Sequence, residues 1–240
     1  MIHNIAHRGA SAYEPENTLR AFARAIEMGA TMLELDVHLS LDGALVVIHD
    51  PDLSRTTNGR GLVSDLPLAE IQRLDAGLGE HVPTLEEVIE EVRGRAQLYI
   101  ELKGQQTPTA VVDCLRRTAF MGQAIAGSFF PWLPQKVKFL EPGIRTSVLI
   151  AARDREAKFV DWALAVGADM VHPCWERAAP APHELLTPEL VAAIHGHGLG
   201  IVVWHEERPE ELRELVKLDV QGICTNTPDV LAGILGTAGG

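Results

Sequence analysis

Cysteine is scarce in this chain, with only Cys114, Cys174 and Cys224 among 240 residues. Their odd number and wide separation exclude a dense disulfide framework, and no short spacing marks a thiolate metal site. A reducing cytoplasm is the expected compartment. Long apolar runs are missing as well. None approaches the ~20 residues that cross a bilayer as a helix, so stable membrane anchoring is not expected. Residues 1–9 lack the basic start and apolar stretch of a secretory signal. Positive charge is the minority, 21 Lys and Arg against 33 Asp and Glu, for a net charge of −12. Phosphate backbones are bound through clustered Lys and Arg, so a nucleic-acid partner is excluded. A small phosphate ester is not excluded, provided that a metal ion and a few cations line its pocket.

What is present suits one barrel-sized domain over residues 1–240. Hydrophobic residues make up 46% of the chain and charged residues 22%, enough apolar material for a large core and too little charge for disorder. There is no internal repeat and no low-complexity linker, and nothing in the composition sets an oligomeric state. Short β-rich runs recur at Asn4–His7, Met32–Val37, Leu45–His49, Gln97–Leu102, Ala124–Phe129, Thr146–Ile150, Asp169–His172, Ile201–Trp204 and Gly222–Cys224. Between many of them lie helical spacings, at Leu19–Glu27, Ala110–Thr118, Ala157–Val166, Pro188–Ile194 and Glu210–Val216, with Gly29, Gly167 and Gly198 placed to end helices. Such alternation implies parallel strands with crossover helices, in a barrel or a doubly wound sheet.

One connection is too short for a crossover. Leu39–Ala44 separates the second and third runs, and Asp42-Gly43 is a two-residue hairpin signal. A two-residue turn there sets Asp36 directly across from His49. Setting the return strand aside leaves eight runs, the number for a (β/α)8 TIM-type barrel. Residues 51–85, rich in turn residues, read as a short insertion after the third strand.

Five polar residues interrupt strands that should be apolar. Glu34 and Asp36 lie two apart on one face, Glu101 ends its run, and His7 and His49 each close one. Burying a carboxylate without a partner costs several kcal/mol, so such groups are paired, protonated or metal-bound. Singly, each has a structural reading as an ion pair or a satisfied histidine. Together they fall at strand ends with complementary chemistry, where a barrel carries its active site. Three carboxylates make a hard oxygen site for one divalent cation, Mg²⁺ or Ca²⁺. Two imidazoles beside it suit a general acid and a general base, and Arg8 and Lys103 suit a phosphate.

At these residues the chain resembles the glycerophosphodiester phosphodiesterase family. The likeness runs through His7-Arg8-Gly9, Pro15-Glu16-Asn17-Thr18, Glu34-Leu35-Asp36-Val37, Asp42-Gly43 and His49-Asp50-Pro51. It extends over Leu53–Gly59, Pro83–Glu87 and Ile100–Lys103, with weaker echoes at Ser128-Phe129 and Val203-Trp204. The resemblance implies a barrel that hydrolyses small-molecule glycerophosphodiesters to glycerol phosphate and an alcohol. Glu34, Asp36 and Glu101 match the family's metal ligands, and His7 and His49 its acid–base pair. Arg8 and Lys103 match its phosphate-contacting cations, and Trp204 is expected at the substrate. Asn17 or Thr18 reads as a helix N-cap, and Thr84 with Glu87 as a capping box. The chain departs from the family pattern at His205-Glu206-Glu207, where many members have Thr-Val-Asn, and at Thr225-Asn226, where Thr-Asp is common. Two rival readings fit the same residues: a related lyase forming a cyclic phosphate, with Phe129, Phe130 and Trp132 as a lipid-facing rim, and a non-catalytic phosphoester-binding barrel.

Overall fold

The computed structural model describes residues 2–155 and 158–238. Strands β1 (His3–His7), β2 (Met32–Leu39), β3 (Leu45–Val47), β4 (Gln97–Leu102), β5 (Ala124–Ser128), β6 (Arg145–Ala151), β7 (Met170–Cys174), β8 (Gly200–Val203) and β9 (Gly222–Thr225) form one sheet. Eight of them run parallel in the order β1-β9-β8-β7-β6-β5-β4-β2, and pairing of β1 with β2 closes the ring. This is the (β/α)8 barrel expected from the alternation. The strand set aside, β3, lies outside the ring, antiparallel to β2.

Barrel strands are covered on both faces, which is why they read as continuous apolar runs. Their inward side chains Ile5, Met32, Tyr99, Ile125, Leu149, Met170, Val202 and Cys224, one from each parallel strand, pack into the barrel's interior. Gly127 on β5 makes room for one of them. A Cβ there would lie 2.7 Å from the Tyr99 hydroxyl and 2.9 Å from Leu149 Cδ1. Gly127→Ala is therefore expected to cost about 1–3 kcal/mol by overpacking, readable as a lower urea midpoint with an unchanged slope.

The outer faces pack against α1 (Leu19–Glu27), α2 (Leu68–Ile71), α3 (Leu85–Val92), α4 (Thr107–Arg117), α5 (Trp132–Leu140), α6 (Phe159–Ala165), α7 (Pro188–Gly196), α8 (Pro209–Leu215) and α9 (Pro228–Ala238) or lie beside them. Thr18 caps α1, its hydroxyl accepting from Ala21 N–H at 3.2 Å. Thr84 and Glu87 form the reciprocal capping box at α3. Gly29, Gly167 and Gly198 follow α1, α6 and α7 in the left-handed region. The expected start of the sixth helix at Ala157 lies outside the described residues. The helical spacings read from sequence do not mark α5 or α9, and α3 shows there only through its capping box. Pro134 interrupts the pattern of α5, and Gly233 and Gly236 weaken that of α9.

The hairpin register differs from expectation. Val37 pairs with Val47 and Leu39 with Leu45, and Ile48 N–H donates to Asp36 O at 3.0 Å. Asp36 thus opposes Ile48, not His49. The turn spans three residues, Leu41–Gly43, with Ser40 N–H bonded to Ala44 O at 3.0 Å and Gly43 at φ 83°. A type I turn closed by a left-handed glycine inserts one more residue than the Asp-Gly signal alone implies. The Asp42 carboxylate tethers the turn, accepting from Ser40 Oγ at 2.6 Å and Leu68 N at 3.0 Å.

After β3 the chain leaves the barrel and builds its own small apolar cluster from Val46, Ile48, Leu53, Val63, Ile71, Ala76 and Val82. It returns at Pro83, whose carbonyl accepts from Val47 N–H at 2.8 Å, and enters α3. From this excursion Arg55 pairs with Asp50, next to His49, and with Glu16.

Candidate active site

The parallel register brings the polar strand residues together. His7 is level with Glu34 across β1 and β2, and Asp36 is level with Glu101 across β2 and β4. Glu34, Asp36 and Glu101 are 0, 1 and 2% exposed, and one carboxylate oxygen from each lies within 4.8 Å of the others. Glu34 Oε1 and Glu101 Oε2 are buried without a hydrogen-bond partner. Three buried carboxylates this close, with oxygens left unsatisfied, suit the donor set of a hard divalent cation. The residues fit a metal of that class.

Two cations hold the cluster together. Lys103 Nζ is 2.6 Å from Glu101 Oε1 and 3.0 Å from Asp36 Oδ1. Arg8 Nε is 3.5 Å from Asp36 Oδ2, and Arg8 backbone N–H donates to Glu34 Oε2 at 3.0 Å. Burial pushes all three acids up, but unequally. Glu34 is raised well above the usual range by burial and then by repulsion from Asp36 and Glu101. Glu101 is raised to about 7 by burial, with Lys103 opposing. At Asp36 the fields of Lys103 and Arg8 outweigh burial and hold the carboxyl below its ordinary value. Lys103, despite its burial, is held charged by Asp36 and Glu101.

His7, at the end of β1, is 5% exposed. Its Nδ1 is 2.7 Å from Asn226 Oδ1, while Nε2 has no hydrogen-bond partner and lies 3.9 Å from Glu34 Oε2. Burial first, then Arg8 and His205, lower its pKa well below the ordinary value. The His205 ring stacks on it at 4.6 Å and 18°. Trp204, just past β8, meets His7 edge-on at 5.0 Å and Phe129 at 6.2 Å, placing its indole in the mouth.

His49 reaches the site by a bend, not by register. The chain turns at His49–Pro51, and His38 Nε2 holds the turn by donating to His49 O at 3.0 Å. His49 Nδ1 is 2.5 Å from Asp50 Oδ1. Burial lowers its pKa, and it feels Asp36, Lys103 and Arg8. Asp50 belongs to a chain of ion pairs. Arg55 bonds Asp50 at 2.5 Å and both Glu16 oxygens at 2.8 Å, and Glu16 bonds Arg8 at 2.9 Å. Bidentate Arg–carboxylate pairs fix orientation as well as charge. One network therefore positions both His49 and Arg8.

Sequence reading missed three contributors. Asn17 was expected to be scaffold, yet its amide donates to Asp36 Oδ2 at 3.0 Å from a left-handed backbone, φ 59°. The cap role falls to Thr18 alone. Arg55 and Asn226 are the others. Arg55 stands within a matched motif, and Asn226 at a departure from one, but neither position shows its partner before folding.

His172, on β7 inside the barrel, is fully buried with Nδ1 2.8 Å from the Tyr99 hydroxyl. Burial lowers its pKa to about 3. Because the folded value lies below the unfolded one, stability present above pH 6.5 is lost as pH falls toward 3. Wild type should lose about 2 kcal/mol more than His172→Leu between pH 7 and 5, read by urea unfolding at each pH.

The closed β/α barrel, whose mouth gathers three carboxylates beside the half-buried Arg8 and Lys103, is that of a metal-dependent phosphodiester hydrolase. The glycerophosphoryl diester phosphodiesterase family model matches residues 7–230, and the chain belongs to that family. A glycerophosphodiester phosphodiesterase of Caldanaerobacter subterraneus is 35% identical over 98% of both chains. The crystal structure of glycerophosphodiester phosphodiesterase from Agrobacterium tumefaciens superposes with a TM-score of 0.85 at 33% identity, covering 97% of this chain and 100% of that one. A phosphodiesterase of Oleispira antarctica, solved in complex with the product sn-glycerol-3-phosphate, superposes with a TM-score of 0.85 at 27% identity, covering 97 and 96%. Like them, the chain is a phosphoric diester hydrolase. Among the described residues no helix is long and apolar enough to cross a membrane.

Proposed function

We propose that this chain hydrolyses glycerophosphodiesters to glycerol phosphate and an alcohol with Glu34, Asp36 and Glu101 holding one Mg²⁺ or Ca²⁺. The observation that carries the reading is the convergence of three buried carboxylates, two of them with unpartnered oxygens, between two histidines. When bound, the cation polarises a phosphoryl oxygen and offsets negative charge at the reacting phosphorus. Charge balance supports this. Three carboxylates against Arg8 and Lys103 leave one net negative charge, which a divalent ion turns into one net positive charge, complementary to a phosphodiester monoanion.

Arg8 and Lys103 neutralise the phosphate, and Trp204 walls the substrate against His7. The histidines differ in their partners. His7 leans on a neutral amide and presents an unpartnered Nε2, which suits a base that takes the nucleophile's proton. His49 leans on the Asp50 carboxylate, which stabilises an imidazolium and suits an acid that protonates the leaving alkoxide. The free cysteines support action in a reducing cytoplasm.

The test is a panel of glycerophosphodiesters assayed with Mg²⁺, with Ca²⁺ and with EDTA. Turnover to glycerol phosphate with either ion and none with EDTA supports the reading. Undamaged activity in EDTA would contradict it, and accumulation of a cyclic phosphate as final product would make the chain a lyase.

A further inference from the structure

We propose that Glu207 and Asn226 are positioning residues that select the ring tautomer of His7, keeping the proton on Nδ1 and the lone pair of Nε2 facing the carboxylate cluster. The inference rests on the reading of His7 as a base. Glu207 stands on the exposed rim after β8, and Asn226 follows β9, so the two link neighbouring strand ends above His7.

Asn226 has three polar neighbours. His7 Nδ1 is 2.7 Å and Ser11 Oγ 2.9 Å from its Oδ1, and its Nδ2 donates to Glu207 Oε1. A side-chain amide turned by 180° exchanges its acceptor for a donor, so its neighbours decide which way it points. A hydroxyl donates or accepts, and either nitrogen of a neutral imidazole does the same. Only the carboxylate is single-valued, because it accepts and never donates. Glu207 therefore draws the NH₂ group to itself and turns Oδ1 toward His7. An oxygen acceptor at Nδ1 requires Nδ1–H, and a neutral ring then carries its lone pair on Nε2.

Without Glu207 the opposite orientation is the better one. Ser11 Oγ is 2.7 Å from the His7 carbonyl and has one proton to give it. An inverted amide would donate to Ser11 Oγ and to His7 Nδ1 at once. That would move the ring proton to Nε2, where the base needs a lone pair. The ring itself is not free to turn, with His205 stacked on one face and Trp204 against it edge-on.

The test uses metal-free protein labelled with nitrogen-15 at histidine, in which long-range proton–nitrogen spectra identify the protonated ring nitrogen. Wild type is expected to show Nδ1–H at His7, and Glu207→Ala to shift it toward Nε2–H. In the double variant Glu207→Ala/Asn226→Asp the carboxylate accepts in either orientation, so Nδ1–H should return. Turnover with Mg²⁺ should follow. Glu207→Ala should lower kcat on the order of tenfold or more with KM nearly unchanged, and the double variant should recover most of it. A wild-type ring protonated at Nε2, or a tautomer indifferent to Glu207, would overturn the proposal. A tautomer that shifts while kcat stays constant would uphold the positioning and remove His7 from the base role, so the two failures are distinct.

Discussion

Glu34→Gln is expected to lower kcat about 10³-fold or more and at the same time to stabilise the metal-free protein. The first effect is expected from the ligand role proposed for Glu34, since a bound cation would supply several kcal/mol of transition-state stabilisation. The second follows from the burial of the three acids. Glu34 is wholly buried, has one unpartnered oxygen and is repelled by Asp36 and Glu101. Its folded pKa is raised, so the stability it allows is full below the unfolded value near 4.5 and declines as pH rises above it. A neutral glutamine keeps the shape and the bond from Arg8 N–H while removing the repulsion. In EDTA, Glu34→Gln should unfold at a higher urea concentration than wild type at pH 8, and the two curves should converge near pH 4. Saturating Mg²⁺ or Ca²⁺ should raise wild type and leave the variant almost unmoved. A structural ion-pair role for Glu34 gives the reverse: the variant would be the less stable at pH 8, and the ion would move neither.

His7→Ala and His49→Ala should each lower kcat by about 10²–10⁴ on natural glycerophosphodiesters, the usual range for a lost proton-transfer group. Their responses to leaving-group chemistry should differ. A p-nitrophenyl phosphodiester departs as a stable anion and needs no protonation. His49→Ala, lacking the proposed acid, should therefore recover most of its activity on that substrate, while His7→Ala, lacking the proposed base, should not. The structural basis is the contrast between the Asn226 amide at His7 and the Asp50 carboxylate at His49. Equal recovery in both variants would erase the assignment of roles. Recovery in His7→Ala alone would invert it.

The fold was legible because each barrel strand is buried on both faces, leaving largely apolar runs in which a carboxylate is conspicuous. Glu34, Asp36 and Glu101 stand out for that reason, as charges where a core demands none. The eight-strand count survived because the short Leu39–Ala44 link identified β3 as a return strand. Its register was not legible. The left-handed Gly43 that adds a third loop residue is compatible with either turn, and Asp42 is held by Leu68 N–H, a contact made by a segment 26 residues away. Asn17 looks like scaffold in the sequence because an asparagine before a helix is usually a cap, whereas Thr18 takes that role and frees the Asn17 amide for Asp36. The partnership of Asn226 with His7 joins residues 219 apart, and no local pattern encodes it. Sequence thus displays the groups whose burial is costly, and hides the ones that orient them.

Glu34, Asp36 and Glu101 are expected to close on a single divalent cation. Crystals soaked in Mn²⁺, a redox-stable stand-in with anomalous scattering, test it directly. One anomalous peak is expected, with an oxygen of each of the three carboxylates at about 2.0–2.4 Å, and absent from Glu34→Gln crystals. A peak elsewhere, or none with the three side chains still held by Lys103 and Arg8 alone, would contradict the account.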